Sequence, residues 1–247
     1  MIFVTGDTHG DFRRFNTTIF PEQKQMGRDD YVIICGDFGG VWDDSPNENH
    51  WLDWLEDKSF TTLFVDGNHE NFDRLGALPV TKWHGGKVHA VRPHVLHLMR
   101  GQVFEIESLT FFTMGGAASH DIQDGILDPY SPDFEQEYWL KRRLRQTFRV
   151  KNVSWWEQEL PDDAEYEEAK RNLEKVNDQV DYIITHCAPT SVMQALDSSY
   201  GQDRLTAFLE EIKERTQYQH WFFGHYHNNR NVDGKHILLW EQIVQVL

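Results

Sequence analysis

Ile2-Phe3-Val4-Thr5-Gly6-Asp7-Thr8-His9 is a short apolar run that stops at a glycine and delivers a carboxylate and an imidazole. The same construction returns as Tyr31-Val32-Ile33-Ile34-Cys35-Gly36-Asp37 and as Leu63-Phe64-Val65-Asp66-Gly67-Asn68-His69-Glu70. β-Branched and aromatic runs that end at glycine read as buried strands. Between them, Asp11 to Phe20 and Glu48 to Asp57 have the length of short helices. In the second, Trp51, Leu52, Trp54 and Leu55 supply an apolar face. Strand, helix, strand is the rhythm of an α/β sheet.

Farther along, the region from Trp83 to Met114 carries only strand patterns, with turn signals at Gly85-Gly86 and Arg100-Gly101 that predict hairpins. Ser131-Pro132-Asp133 predicts a helix start, with Leu140, Leu144 and Phe148 as its apolar stripe. A second helix follows Pro161 on Tyr166, Ala169, Leu173 and Val176. Asp181 to Thr185 reads as a strand, Asp203 to Arg215 as a helix, and Phe222-Phe223 and Ile237 to Trp240 as closing strands. With no repeat and no low-complexity linker, the expectation is one domain over residues 1–247 with a helical insertion over 131–178.

The 247 residues carry a formal net charge of −16, and 39% of them are hydrophobic, which is globular rather than disordered. Gripping a long phosphate backbone needs clustered Lys and Arg, so the charge argues against nucleic acid as the main partner. The longest uninterrupted apolar run, Tyr31 to Cys35, falls far short of the roughly 20 residues of a membrane helix. Met1 leads directly into strand sequence, without a signal-peptide pattern. Two cysteines, Cys35 and Cys187, do not make a disulfide framework and point to a reducing, cytoplasmic setting.

The chemistry gathers at strand ends. Besides Asp7, His9, Asp37, Asn68 and His69, later strands end in Thr185-His186 and in Gly224-His225-Tyr226-His227. In open α/β sheets the carboxyl ends of strands face the ligand crevice. Asp7 with His9, and His225 with His227, are i, i+2 pairs that share a side if the strand continues through them. Oxygen and imidazole donors without a thiolate suit Mn²⁺, Fe or Zn²⁺ better than Ca²⁺. Seven ligands drawn from these eight residues would suit two ions about 3.5–4 Å apart, the arrangement used for in-line attack on phosphorus.

The series Asp-x-His, Gly-Asp, Gly-Asn-His-Glu, an isolated strand-end His and Gly-His-x-His resembles the calcineurin-like metallophosphoesterase superfamily. The motifs extend from Asp7 to His227. The resemblance implies an α/β sandwich (α+β by some schemes) of two mixed β-sheets flanked by helices. It implies Asp7, His9 and His227 as ligands of one ion and Asn68, His186 and His225 as ligands of the other. Asp37 would bridge the two, and His69 would assist the leaving group without binding metal. Two divalent ions are implied, with Mn²⁺ favoured. The implied reaction is attack by a metal-bridging hydroxide on a phosphomonoester or phosphodiester of a small molecule.

The chain departs from one large branch, in which the second motif continues to Asp-Arg-Gly. Here it reads Gly36-Asp37-Phe38-Gly39-Gly40-Val41-Trp42. The phosphate-clamping Arg and the Asp that orients the catalytic His are both missing, which weighs against protein phosphatase activity. Asp66, Glu70, Asp43 and Asp44 are the nearby candidates to orient His69. A nuclease for single-stranded nucleic acid would use the acid-free run Lys141, Arg142, Arg143, Arg145, Arg149 and Lys151 as a guide, although a solvated helix face is the simpler reading. A non-catalytic metal-binding scaffold is opposed by the presence of all seven ligands. The remaining eight histidines, His120 among them, read as structural, and the sequence names no protein partner. Residues 70 to 185 hold no motif that would specify a substrate.

Overall fold

Alternate residues of the first strand point into two different cores, and that explains its unbroken apolarity. The structure, a computed structural model, describes residues 1–247. In β1 (Ile2–Thr5), Ile2 and Val4 pack between two sheets while Phe3 packs on the far side. The same alternation runs through β2 (Tyr31–Ile34) and β3 (Thr61–Phe64), where Ile33 and Leu63 face inward and Val32 and Phe64 outward. Strands buried on both faces need no polar side.

The chain continues through β4 (Val80–Trp83), β5 (Gly86–Arg92), β6 (Val95–Leu98), β7 (Gln102–Ile106) and β8 (Leu109–Met114). The turn at Gly85-Gly86 makes the expected hairpin of β4 and β5, but Arg100-Gly101 does not make one, because it carries the chain from β6 in one sheet to β7 in the other. Two-residue strands β9 (Ile126–Leu127) and β10 (Arg149–Val150) pair only with each other. Then come β11 (Tyr182–Thr185), β12 (His220–Phe223), β13 (Arg230–Asn231), β14 (His236–Leu238) and β15 (Ile243–Gln245). One sheet has the order β15-β1-β2-β3-β6-β5-β4 and the other β13-β14-β12-β11-β8-β7. Both are mixed. β1, β2, β3 and β6 run parallel, as do β8, β11, β12 and β14. The expected architecture of two mixed sheets flanked by helices is the one present.

Helices close the outer faces. α1 (Pro46–Glu56) begins where Ser45 accepts from the Glu48 amide, and it packs Leu52 and Leu55 on the first sheet. α2 (Phe72–Gly76) is a short turn after the third motif. α4 (Asp163–Lys175), α5 (Thr190–Leu196) and α6 (Arg204–Arg215) cover the second sheet. α4 and α6 each start with a capping box, on Asp162 and Asp203. No helix is long and apolar enough to cross a membrane.

Two local expectations fail for identifiable reasons. The helix expected over Asp11 to Phe20 is replaced by 3-10 turns at Arg13–Phe15 and Pro21–Gln25. The Asn16 side chain accepts from the Thr18 amide at 2.9 Å, a local bond that competes with helix. The helix after Ser131 starts later, as α3 (Phe134–Arg143), without a side-chain cap. Its expected stripe faces outward, with Leu140 50% and Leu144 57% exposed. Arg145 takes a left-handed backbone (φ 54°), so the helix stops before Leu144 and Phe148 can join one face.

Candidate metal centre

β1, β2, β3, β11 and β12 are all parallel-running strands whose carboxyl ends come out on one edge of the sandwich, where the motif residues follow them. The strands do not continue through the i, i+2 pairs. β1 ends at Thr5 and β12 at Phe223, and His9, Asp37, His225 and His227 all have positive φ, between 44° and 69°. The pairs converge because the backbone turns back on itself, a strained geometry typical of functional loops.

Two glycines make room for the carboxylates. A Cβ on Gly67 would sit 2.1 Å from Asp37 Oδ1, and one on Gly224 would sit 2.1 Å from Asp7 Oδ1. The Asp7 carboxylate in turn accepts from the His225 amide at 3.0 Å.

One atom each of Asp7, His9, Asp37 and His227 lies within 4.8 Å of every other. His9 Nε2 is 3.0 Å from His227 Nε2, and His227 Nε2 is 3.2 Å from Asp7 Oδ2. On the other side, His186 Nε2 lies 3.2 Å from Asn68 Oδ1 and 3.4 Å from Asp37 Oδ1. Asp37 stands between these groups. Its Oδ2 is 3.7 Å from His9 Nε2, while its Oδ1 faces His186. The His225 ring packs 5.0 Å from that of His186. All seven residues expected at the centre are therefore brought together.

The donor set fits divalent cations. Asp7 and Asp37 are each 1% exposed, and no Lys or Arg comes within salt-bridge distance of either carboxylate. Such buried charge requires cationic compensation. His186 Nδ1 donates to the Cys35 carbonyl at 2.7 Å, leaving Nε2 to face the centre. Burial would lower the pKa of His186, but Asp37 and Asp7 outweigh it and raise it to about 10. Burial would push the Asp37 carboxyl up, yet His186, His69 and His9 hold it well below the usual range. The field that attracts a proton there also attracts a metal ion.

His69 sits at the rim, its ring 5.6 Å from that of His9 and its backbone amide bonded to Asp37. Burial lowers its pKa, against the nearby charge of Asp37. None of the acids suggested by proximity in sequence bonds to its ring. Asp66 is taken by Arg100 and His97. Glu70 accepts from the Phe38, Gly39 and Gly67 amides, which fastens the second motif to the third. Asp43 accepts from the Ser45 amide, and Asp44 from the Asn49 side chain.

Ser119 and Asp121 were not singled out from the sequence, and His120 was read there as structural. β8 is a further parallel strand, and its carboxyl end leads to Ser119, His120 and Asp121. The strand-end rule that found the other motifs also covers this one. Ser119 Oγ accepts from Asn68 Nδ2 at 3.2 Å, and His120 Nε2 lies 2.8 Å from His225 Nε2. Asp121 accepts from Arg149 Nε at 2.7 Å, and both charges act on His69. Gly115 and Gly116 serve close packing, since added Cβ atoms would meet Asp66 and the Glu159 carbonyl. Trp156 is buried, donates to Asp73 at 2.7 Å and packs edge-on against Trp42, pinning its segment to the core.

The profile of the calcineurin-like phosphoesterase family matches residues 1–229, and the chain belongs to that family of phosphoester hydrolases. Among curated proteins it is similar to lariat debranching enzyme A of Xenopus laevis, 22% identical over 92% of this chain. The human lariat debranching enzyme is 21% identical over 92% of it, and that of Drosophila melanogaster 24% over 92%. The chain spans 42% of the length of each of these relatives.

These likenesses overturn the expectation that nucleic acid is an improbable partner. The net charge misled because it is local. Residues 28–57 hold nine acids and one base, and 154–178 hold nine acids and three bases, together −14 of the −16. The six bases from Lys141 to Lys151 stand apart from both.

Proposed function

We propose that the protein is a dinuclear metal-dependent phosphodiesterase acting on nucleic-acid phosphodiesters. The position of Asp37, one carboxylate oxygen toward each group of candidate ligands, carries the two-ion reading. Asp7, His9 and His227 would hold one ion, Asn68, His186 and His225 the other, and Mn²⁺ would suit this oxygen and imidazole set. When bound, the ions supply a nucleophilic water at neutral pH and neutralise the phosphoryl oxygens. His69, suspended over the centre by its amide, gives its proton to the departing oxygen.

The substrate class rests on a groove of about 650 Å³ lined by Arg142, Arg149, Phe134, Tyr138, Phe148 and Asp121. It adjoins the centre, because Asp121 follows His120, whose ring touches that of His225. Cations beside aromatic faces suit phosphates alternating with bases. The relatives' names, lariat debranching enzymes, favour the same class. We read the chain as one domain in which residues 131–178 are an insertion carrying this groove. The two buried, unpaired cysteines suit a reducing cytosol.

Hydrolysis assays of the Mn²⁺-loaded protein on a nitrophenyl monoester, a bis-nitrophenyl diester, and linear and branched oligonucleotides test this reading. Cleavage of the diester and of an oligonucleotide is expected. Turnover of the monoester alone would sink it.

A further inference from the structure

We infer that Ser119 and Glu159 are positioning residues that fix which end of the Asn68 side-chain amide faces the metal centre. The inference rests on Asn68 being a ligand and is independent of the substrate class.

A side-chain amide has an acceptor and a donor end of nearly equal shape, and only the oxygen can bind a cation. Something must distinguish the ends. Asn68 Nδ2 donates to Ser119 Oγ at 3.2 Å, leaving Oδ1 on the His186 side. That bond requires the serine hydroxyl hydrogen to point elsewhere, and it does. Ser119 Oγ donates to Glu159 Oε2 at 2.5 Å, while the Ser119 amide donates to Glu159 Oε1 at 3.0 Å. An ionised carboxylate only accepts, so it dictates the direction of the whole chain of bonds. Asn68, Ser119 and Glu159 are 4%, 8% and 3% exposed, which leaves little water to replace a lost partner.

Glu159 is itself held. It lies in a 3-10 turn, Glu157–Glu159, and its carbonyl accepts from the Ala117 amide at 3.2 Å. The 131–178 segment thus reaches a candidate ligand through two side chains. Glutamine at 159 would break the direction of the chain. Its amide nitrogen would donate to Ser119 Oγ, turn the hydroxyl hydrogen toward Asn68, and draw Oδ1 away from the centre.

The test is titration of the metal-free protein with Mn²⁺ by competition with a chelating dye, alongside thermal unfolding in chelator. Asn68→Ala serves as the reference for loss of that ligand. Ser119→Ala and Glu159→Gln are expected to weaken binding at one site by about 10–100-fold, the usual cost of removing a group that orients a ligand. Ser119→Thr, which keeps the hydroxyl, is expected to bind as wild type. Should Glu159→Gln fail to fold, the Ala and Thr variants at 119 decide alone. Wild-type affinity in Ser119→Ala, with the site lost in Asn68→Ala, overturns the positioning role. Equal weakening in Ser119→Ala and Ser119→Thr also overturns it, since packing would then explain both. Wild-type affinity in Asn68→Ala overturns the ligand assignment beneath it.

Discussion

The backbone amide of His69 donates to Asp37 Oδ1 at 2.8 Å, so the proposed acid hangs from the proposed bridging carboxylate. The bond uses no side-chain atom of His69. His69→Ala therefore keeps Asp37 in place and is expected to bind Mn²⁺ as wild type does. Its turnover of a phosphodiester should fall by about 10²–10⁴-fold, the range for losing a positioned acid. Metal analysis and steady-state kinetics on the same preparation check both halves, and an unchanged rate rules out the role.

Asp7 depends on an absence of atoms beside it. A Cβ at Gly224 would lie 2.1 Å from Asp7 Oδ1 and 2.8 Å from the Cys35 carbonyl oxygen. Neither neighbour can retreat, because Asp7 is buried and Cys35 O accepts from His186 Nδ1. Gly224→Ala is expected to lose metal at the Asp7 side and most of its activity. Its secondary structure by circular dichroism should remain, since the sheets end before this loop. Full metal content in the purified variant would contradict the packing argument.

The strands were legible because burial on both faces makes β1, β2, β11 and the second half of β3 into largely apolar runs. The site was legible because glycine and ligand types follow those runs directly. What stayed hidden depends on contacts distant in sequence. Nothing near Ser119 in the chain indicates Glu159, and nothing near Asp121 indicates Arg149. The exposed stripe of α3 has the helical period of a buried one, and only the turn at Arg145 separates the two.

Arg142 and Arg149 line the groove, and Arg149 is already paired with Asp121. Arg142 is the cleaner probe. Arg142→Ala should weaken binding of a single-stranded oligonucleotide and reduce the slope of log affinity against log salt by about 1. Hydrolysis of a small diester, which does not extend into the groove, should be unaffected. Fluorescence anisotropy across a salt series measures the first, and an unchanged slope would remove Arg142 from the nucleic-acid path.

Beneath the centre, His97 donates through Nε2 to Asp66 at 3.0 Å and receives a hydrogen bond from His89 between the two Nδ1 atoms at 2.9 Å. Burial lowers the pKa of His89 to about 4, and the neighbouring His97 adds to the effect. Between that value and the ordinary one near 6.5, the unfolded chain takes up a proton that the folded protein refuses. Stability is therefore full above about pH 6.5 and falls as the pH drops toward about 4, where the folded form accepts the proton. Allowing for solvent at the ring, the loss at pH 5 is about 1–2 kcal/mol. His89→Gln cannot titrate but retains a donor for His97. Its stability relative to wild type should rise by that amount between pH 7 and pH 5, as read by urea unfolding at both values. Parallel losses in the two proteins would mean that the folded state does not exclude the proton from His89.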